Sequence, residues 1–200
     1  MAIKPSVTKD RLLESALKLI SHKGYLGTTT REIARTAGVT ELTLFRHFGS
    51  KERLFEELLG RHTFLPTLRE LLPKLEPLSY EEALRTIATR FLMSLKELKP
   101  MVKIMHSEIN LYPVKIRKVY NQFISETRGV LAGYFESLQS RGILREFSSA
   151  LAAQAFFGML FSYFRHEEIV KGIKIPKKKM ERDVQQFADI FIRGTLRKGN

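Results

Sequence analysis

The sequence predicts an all-α fold: a three-helix N-terminal domain holding a helix-turn-helix, then a larger helical bundle, about nine helices in all. Three observations predict it. Apolar residues recur at helical spacing along most of the 200 residues. No segment alternates with period two over a convincing length, and there is no internal repeat. Hydroxyl caps, prolines and glycines fall at intervals that suit helix starts and stops.

The first helix is expected over about Thr8 to His22, where Leu12, Leu13, Ala16, Leu17, Leu19 and Ile20 make one apolar stripe. Gly24 ends it as a left-handed cap would. The second follows Thr29, because Thr29-Thr30-Arg31-Glu32 is a capping box. Gly38 ends it, and a third helix runs from about Thr40 to Phe48. A fourth begins near Ser50 or Lys51 and carries Phe55, Leu58 and Leu59. Pro66 is expected to end or kink it, and Pro73 and Pro77 to mark a linker.

Ser79-Tyr80-Glu81-Glu82 is a second capping box, opening a helix to about Leu98. Pro100 starts a shorter helix to about Leu111. Pro113 starts a long one to about Ser140, stopped by Gly142. Ser148 or Ser149 caps a strongly apolar helix to about Val170. Pro176 opens the last, to about Arg197. The expected domains are 1–50 for the head and 51–200 for the bundle.

Thr28 to Lys51 carries the functional argument. Two short helices joined at Gly38-Val39 make a helix-turn-helix. Ala34 is small where the helices must approach, and Gly38 permits the positive φ of the turn. Ile33, Val39, Leu44 and Phe48 are spaced to lock the pair together. Charge agrees with a polyanionic partner: the formal net charge is +13. Residues 1–51 hold nine basic and four acidic side chains, and 171–200 hold nine and three, whereas the middle is nearly balanced.

The run Gly24-Tyr25, Thr28-Thr29, Arg31-Glu32-Ile33-Ala34, Ala37-Gly38-Val39, Thr43-Leu44, His47-Phe48 and Ser50-Lys51-Glu52 resembles the N-terminal signature of the TetR family of one-component regulators. The match is ungapped over roughly residues 8–60. The resemblance implies that the helix from Thr40 enters the major groove of double-stranded DNA, with Thr40, Glu41, Leu42 and Thr43 at base edges. On that reading Glu41 is placed to accept from a cytosine amino group, and Leu42 or Thr43 to touch a thymine methyl. Thr29 is implied to bind phosphate at a helix N-terminus, Lys51 to clamp phosphate, and His47 to lie beside the backbone or a base.

Two positions depart from the family pattern. Phe45 replaces a usual tyrosine and cannot hydrogen-bond phosphate; Arg46, next to it, can. Glu41 replaces a frequently basic residue and brings negative charge toward DNA.

The resemblance further implies a bundle that binds a largely apolar small molecule and forms a homodimer. The helices near 149–170 and 177–197 are apolar beyond what one small bundle must bury, through Phe156, Phe157, Leu160 and Phe164 and through Phe187, Ile190 and Phe191. The expected pocket residues are Phe91, Met105, Tyr112, Phe123 and Tyr134. Each of these reads first as plain core, and methionine at helical spacing normally packs.

No catalytic constellation is visible. The five histidines are scattered, and His106 with Glu108 has no metal-ligand spacing. No glycine-rich phosphate loop or nucleophile elbow is present, so neither a cofactor, a metal nor enzymatic activity is expected. Without cysteine, disulfides and thiolate zinc sites are excluded. Residues 1–7 lack a signal-peptide run and no stretch suits a membrane span, so a cytoplasmic protein is expected. Lys177-Lys178-Lys179 reads as a solvated run in a helix's first turn, where positive charge is unfavourable. Two other readings remain open at this point. One is a basic helical protein that binds nucleic acid without sequence choice. The other is a ligand-binding bundle whose DNA-binding head has decayed.

Overall fold

The structure is a computed structural model, and it describes residues 5–197. The described residues form helices α1 (Pro5–Lys23), α2 (Thr30–Thr36), α3 (Glu41–Phe48), α4 (Lys51–His62), α5 (Phe64–Leu75), α6 (Tyr80–Glu97), α7 (Lys99–Glu108), α8 (Val114–Ser140), α9 (Ser149–Phe164) and α10 (Lys177–Thr195). A 3₁₀ turn, Ile109–Leu111, precedes α8, and a π turn, Arg165–Val170, prolongs α9. Among the described residues there is no strand, only an isolated antiparallel bridge between Leu144 and Leu196.

One segment differs from the sequence expectation. Phe64–Leu75, expected as a helix end and linker, is a helix of its own. The break before it comes at Thr63, which is extended. Pro66 is the third residue of α5, in the first turn, where a missing N–H costs nothing. Pro73 stands inside the last turns. Phe64, Leu65, Leu68 and Leu75 bury one face, and that burial outweighs the lost hydrogen bond.

The chain divides into two compact units. Among the described residues, the first comprises 5–63 and 98–123; the second comprises 64–97 and 124–197. The head therefore extends past the boundary expected after residue 50. The reason is its core. Leu12, Leu13, Ala16 and Ile20 of α1 pack with Ile33, Ala34, Leu44 and Phe48, but also with Leu54, Phe55, Leu58 and Leu59 of α4. Met101, Met105, Tyr112 and Ile116 belong to the same buried cluster. One long and two short helices bury too little apolar surface alone, and α4, α7 and the start of α8 supply the rest.

The second unit is built on aromatic packing. Phe91 lies 4.8 Å from Phe157 and 5.2 Å from Phe64, ring centre to ring centre. Phe156 meets Phe191 edge-on at 5.1 Å, and Phe191 stacks on Phe135 at 5.7 Å. These tilted and offset arrangements suit the ring quadrupoles. At the π turn, buried Glu168 accepts the Ile175 N–H at 3.0 Å, and Lys96 donates to the Ile175 carbonyl at 2.7 Å.

Two lysines of the run at the start of α10 are paired with carboxylates. Lys179 donates to Asp183 at 2.9 Å and to Glu167 at 3.2 Å, and Lys177 lies 3.9 Å from Glu181. Carboxylates one turn along the helix offset the unfavourable helix dipole.

Candidate nucleic-acid interface

The two helices of the motif are fixed at every end. The Thr29 hydroxyl accepts the Glu32 N–H at 3.2 Å, while the Glu32 carboxylate accepts the Thr29 N–H at 3.1 Å. Lys23 donates to the same carboxylate at 2.7 Å. These bonds, that from Lys23 first, hold the Glu32 carboxyl down to about 2. At the other end of α2, Gly38 takes φ of +68°, a conformation that L side chains avoid. Val39 N–H then returns to the Ala34 carbonyl at 2.9 Å, and the Arg11 guanidinium covers the Ala37 carbonyl. The freed carbonyls of the helix end are thus satisfied.

Thr40 caps α3. Its hydroxyl accepts the Thr43 N–H at 3.3 Å and bonds the Thr43 hydroxyl at 2.9 Å. Leu44 and Phe48 face the core. The opposite face of α3 is open: Leu42 is 70% exposed and Phe45 42%, with Thr40 and Arg46 exposed beside them. His47 is half-buried and borders a groove of about 510 Å³ with Arg53, Gly60 and Phe123.

Two expected site residues have partners that the sequence does not reveal. The Glu41 carboxylate turns back onto α2, accepting the Thr30 hydroxyl at 2.6 Å with one oxygen and facing the Arg31 guanidinium at 3.7 Å with the other. It is thus engaged within the protein and not simply aimed outward. Lys51 is half-buried. Its ammonium donates to the Tyr25 carbonyl at 2.5 Å and sits 4.1 Å over the Tyr25 ring. Burial pushes its pKa below the ordinary lysine value, against the opposing pull of Glu52 and Glu32. Tyr25 itself packs on Phe55 at 4.9 Å and Tyr112 at 5.7 Å. Thr30, Arg31 and Tyr25 are the residues that spacing does not single out. Thr30 and Glu41 are eleven positions apart on different helices, so no periodicity links them.

The five expected pocket residues fall in both units, three in the first and two in the second. Met105 and Tyr112 are buried in the core of the first unit, and Phe123 lines the groove beside His47. Burial pushes the Tyr112 hydroxyl up to about 12. Phe91 lies in the aromatic core of the second unit. Tyr134 does line a cavity there, of about 470 Å³. Its walls come from α5, the start of α6 and the far half of α8: Leu72, Leu78, Val130, Leu138 and Ile143, with Arg69 and Arg141 among the polar groups. Helical spacing marks buried faces and does not separate a packed face from a cavity wall.

A capped, locked helix pair with an open second helix has the form of a helix-turn-helix, the DNA-binding element of transcriptional regulators. The family model described as bacterial regulatory proteins, tetR family, matches residues 12–58. A second, described as AefR-like transcriptional repressor, C-terminal domain, matches residues 82–194, more than half of the chain. The chain belongs to the TetR family of bacterial transcriptional regulators.

Whole-chain likenesses agree. The uncharacterised HTH-type transcriptional regulator YvkB of Bacillus subtilis (strain 168) is 30% identical over 189 residues, covering 94% of this chain and 96% of its own. A solved structure assigned to the TetR family, from Mesorhizobium loti MAFF303099, superposes with a TM-score of 0.81 at 24% identity, over 98% of this chain and all of that one. The Flavonoid-responsive Regulator FrrA gives 0.73 at 25% identity, over 96% and 98%. Among the described residues no helix is long and apolar enough to cross a membrane.

Proposed function

We propose that this chain is a ligand-responsive repressor that binds a palindromic operator as a homodimer. The open face of α3, with Leu42 and Phe45 solvent-exposed on an otherwise locked motif, is the observation that carries the reading. A globular protein has no packing reason to leave that face bare, whereas a reading helix needs it free. Thr40, Leu42 and Thr43 meet base edges, the two hydroxyls already turned to one another at the helix start. Thr29 offers phosphate a helix N-terminus and Arg46 a guanidinium, taking the place of the hydroxyl that Phe45 lacks. His47 lies alongside the backbone. Lys51 keeps two donors beyond the Tyr25 carbonyl, and these reach phosphate.

The dimer forms through α9 and α10. Leu151 and Ile190 are 66% and 63% exposed and flank a shallow groove with Ala152, Ala155 and Phe191. Two copies side by side cover this strip. The two α3 helices then address half-sites about one DNA turn, roughly 34 Å, apart or more. The effector occupies the cavity at Tyr134. Its apolar walls suit a largely apolar small molecule. FrrA, by its name responsive to flavonoids, lends support for such a compound.

The test is a gel shift of the full chain on DNA upstream of its own gene, repeated with apolar and amphipathic effectors. Retardation at nanomolar protein that an effector relieves supports the reading. Equal retardation of unrelated duplexes overturns it in favour of binding without sequence choice.

A further inference from the structure

We propose that Glu41 is a positioning residue. Its carboxylate, tied to Thr30, holds the Arg31 guanidinium beside the start of α3, and the pair sets sequence choice without Glu41 touching a base. This rests on α3 being the helix that reads DNA.

Three observations carry it. The Thr30 hydroxyl bond is short, 2.6 Å, and partly buried, so one carboxylate oxygen is committed to α2. The other faces Arg31, whose side chain is 86% exposed and has no reason of packing to adopt one pose. Glu41 is only 34% exposed, and the charge it brings toward DNA is matched by a cation on the same surface. An acid at the mouth of a reading helix repels phosphate. An acid that holds a guanidinium at its Nε instead leaves the four N–H donors of the two terminal nitrogens free to meet acceptors on base edges.

Untethering Arg31 and removing the charge act in opposite directions, which separates the possible roles. The full-length wild-type chain first selects an operator from a pool of random duplexes. Anisotropy titrations then compare that operator with an unrelated duplex at about 0.15 M salt. Glu41→Gln is expected to bind the unrelated duplex about threefold more tightly, as loss of one negative charge requires. Its operator-to-competitor ratio is expected to fall about tenfold, the scale of one oriented bidentate contact. Arg31→Ala is expected to lose the same ratio, and Glu41→Gln in that background to change it no further. Thr30→Val breaks the same tie from the other side and is expected to lower the ratio also, which keeps the test valid if either Glu41 variant folds poorly.

A Glu41→Gln variant that tightens on both duplexes equally, at constant ratio, makes Glu41 a bystander and overturns the proposal. A loss confined to one base pair that persists in the Arg31→Ala background makes Glu41 a base contact and overturns it too. If the wild type selects no operator, the underlying reading of α3 fails with it; if the wild type selects one and the ratio holds, only the role of Glu41 fails.

Discussion

Met105→Ala distinguishes two views of α7. If Met105 were a wall of an effector pocket, trimming it would change ligand response and leave the head alone. In the structure it is 2% exposed and packed in the cluster that joins α1, α4 and the helix-turn-helix. Truncating a methionine so placed costs about 2–5 kcal/mol, the transfer of the lost atoms plus the residual cavity. The first unit has roughly the size of a 60–100-residue domain, for which each kcal/mol moves the midpoint by about 4–8 °C. A drop of at least about 8 °C is therefore expected. Thermal and urea unfolding followed by circular dichroism read it, and operator affinity falls in the same variant because the motif shares that core. An unchanged midpoint with an altered effector response would refute the assignment and return Met105 to a pocket.

Four further outcomes are expected. Thr29→Ala removes the α2 cap and costs about 0.5–2 kcal/mol in chemical unfolding; an unchanged midpoint would mean that the capping box carries no stability. Glu32 has its folded pKa lowered from about 4.5 to about 2, so it contributes stability above pH about 4.5 that is lost as pH falls toward 2. Glu32→Gln should flatten that limb of the pH–stability curve, and an unaltered limb would count against it. Lys51→Met should weaken operator and competitor DNA alike and reduce the slope of log Kobs against log salt by about 0.9; an unchanged slope removes Lys51 from the phosphate contacts. Leu151→Glu with Ile190→Glu should convert a dimer to a monomer in sedimentation, and a persisting dimer would move the interface elsewhere.

Much of the fold is written in local signals. The boundaries of α2 and α3 follow from Thr29, Gly38 and Thr40, whose capping and φ are dictated by short-range chemistry. α5 was hidden because Pro66 and Pro73 look like breakers when position within a helix is unknown. The extent of the head was hidden for a different reason. Met105, Tyr112 and Ile116 join the core of α1 from some ninety positions away, and the periodicity of α7 shows only that a face is buried, not against what. The open face of α3 was legible from the motif. The engagement of Glu41 by Thr30 and of Lys51 by the Tyr25 carbonyl was not, since each pairs side chains or backbone across different elements.

Sequence-specific binding of DNA by the α3 face is read in a single titration. Full-length chain is measured by fluorescence anisotropy against a duplex from the region upstream of its own gene and against a random duplex, both at about 0.15 M salt. The first duplex is expected to bind at least about 10³-fold more tightly than the second. Equal affinities, falling together as salt rises, would contradict it.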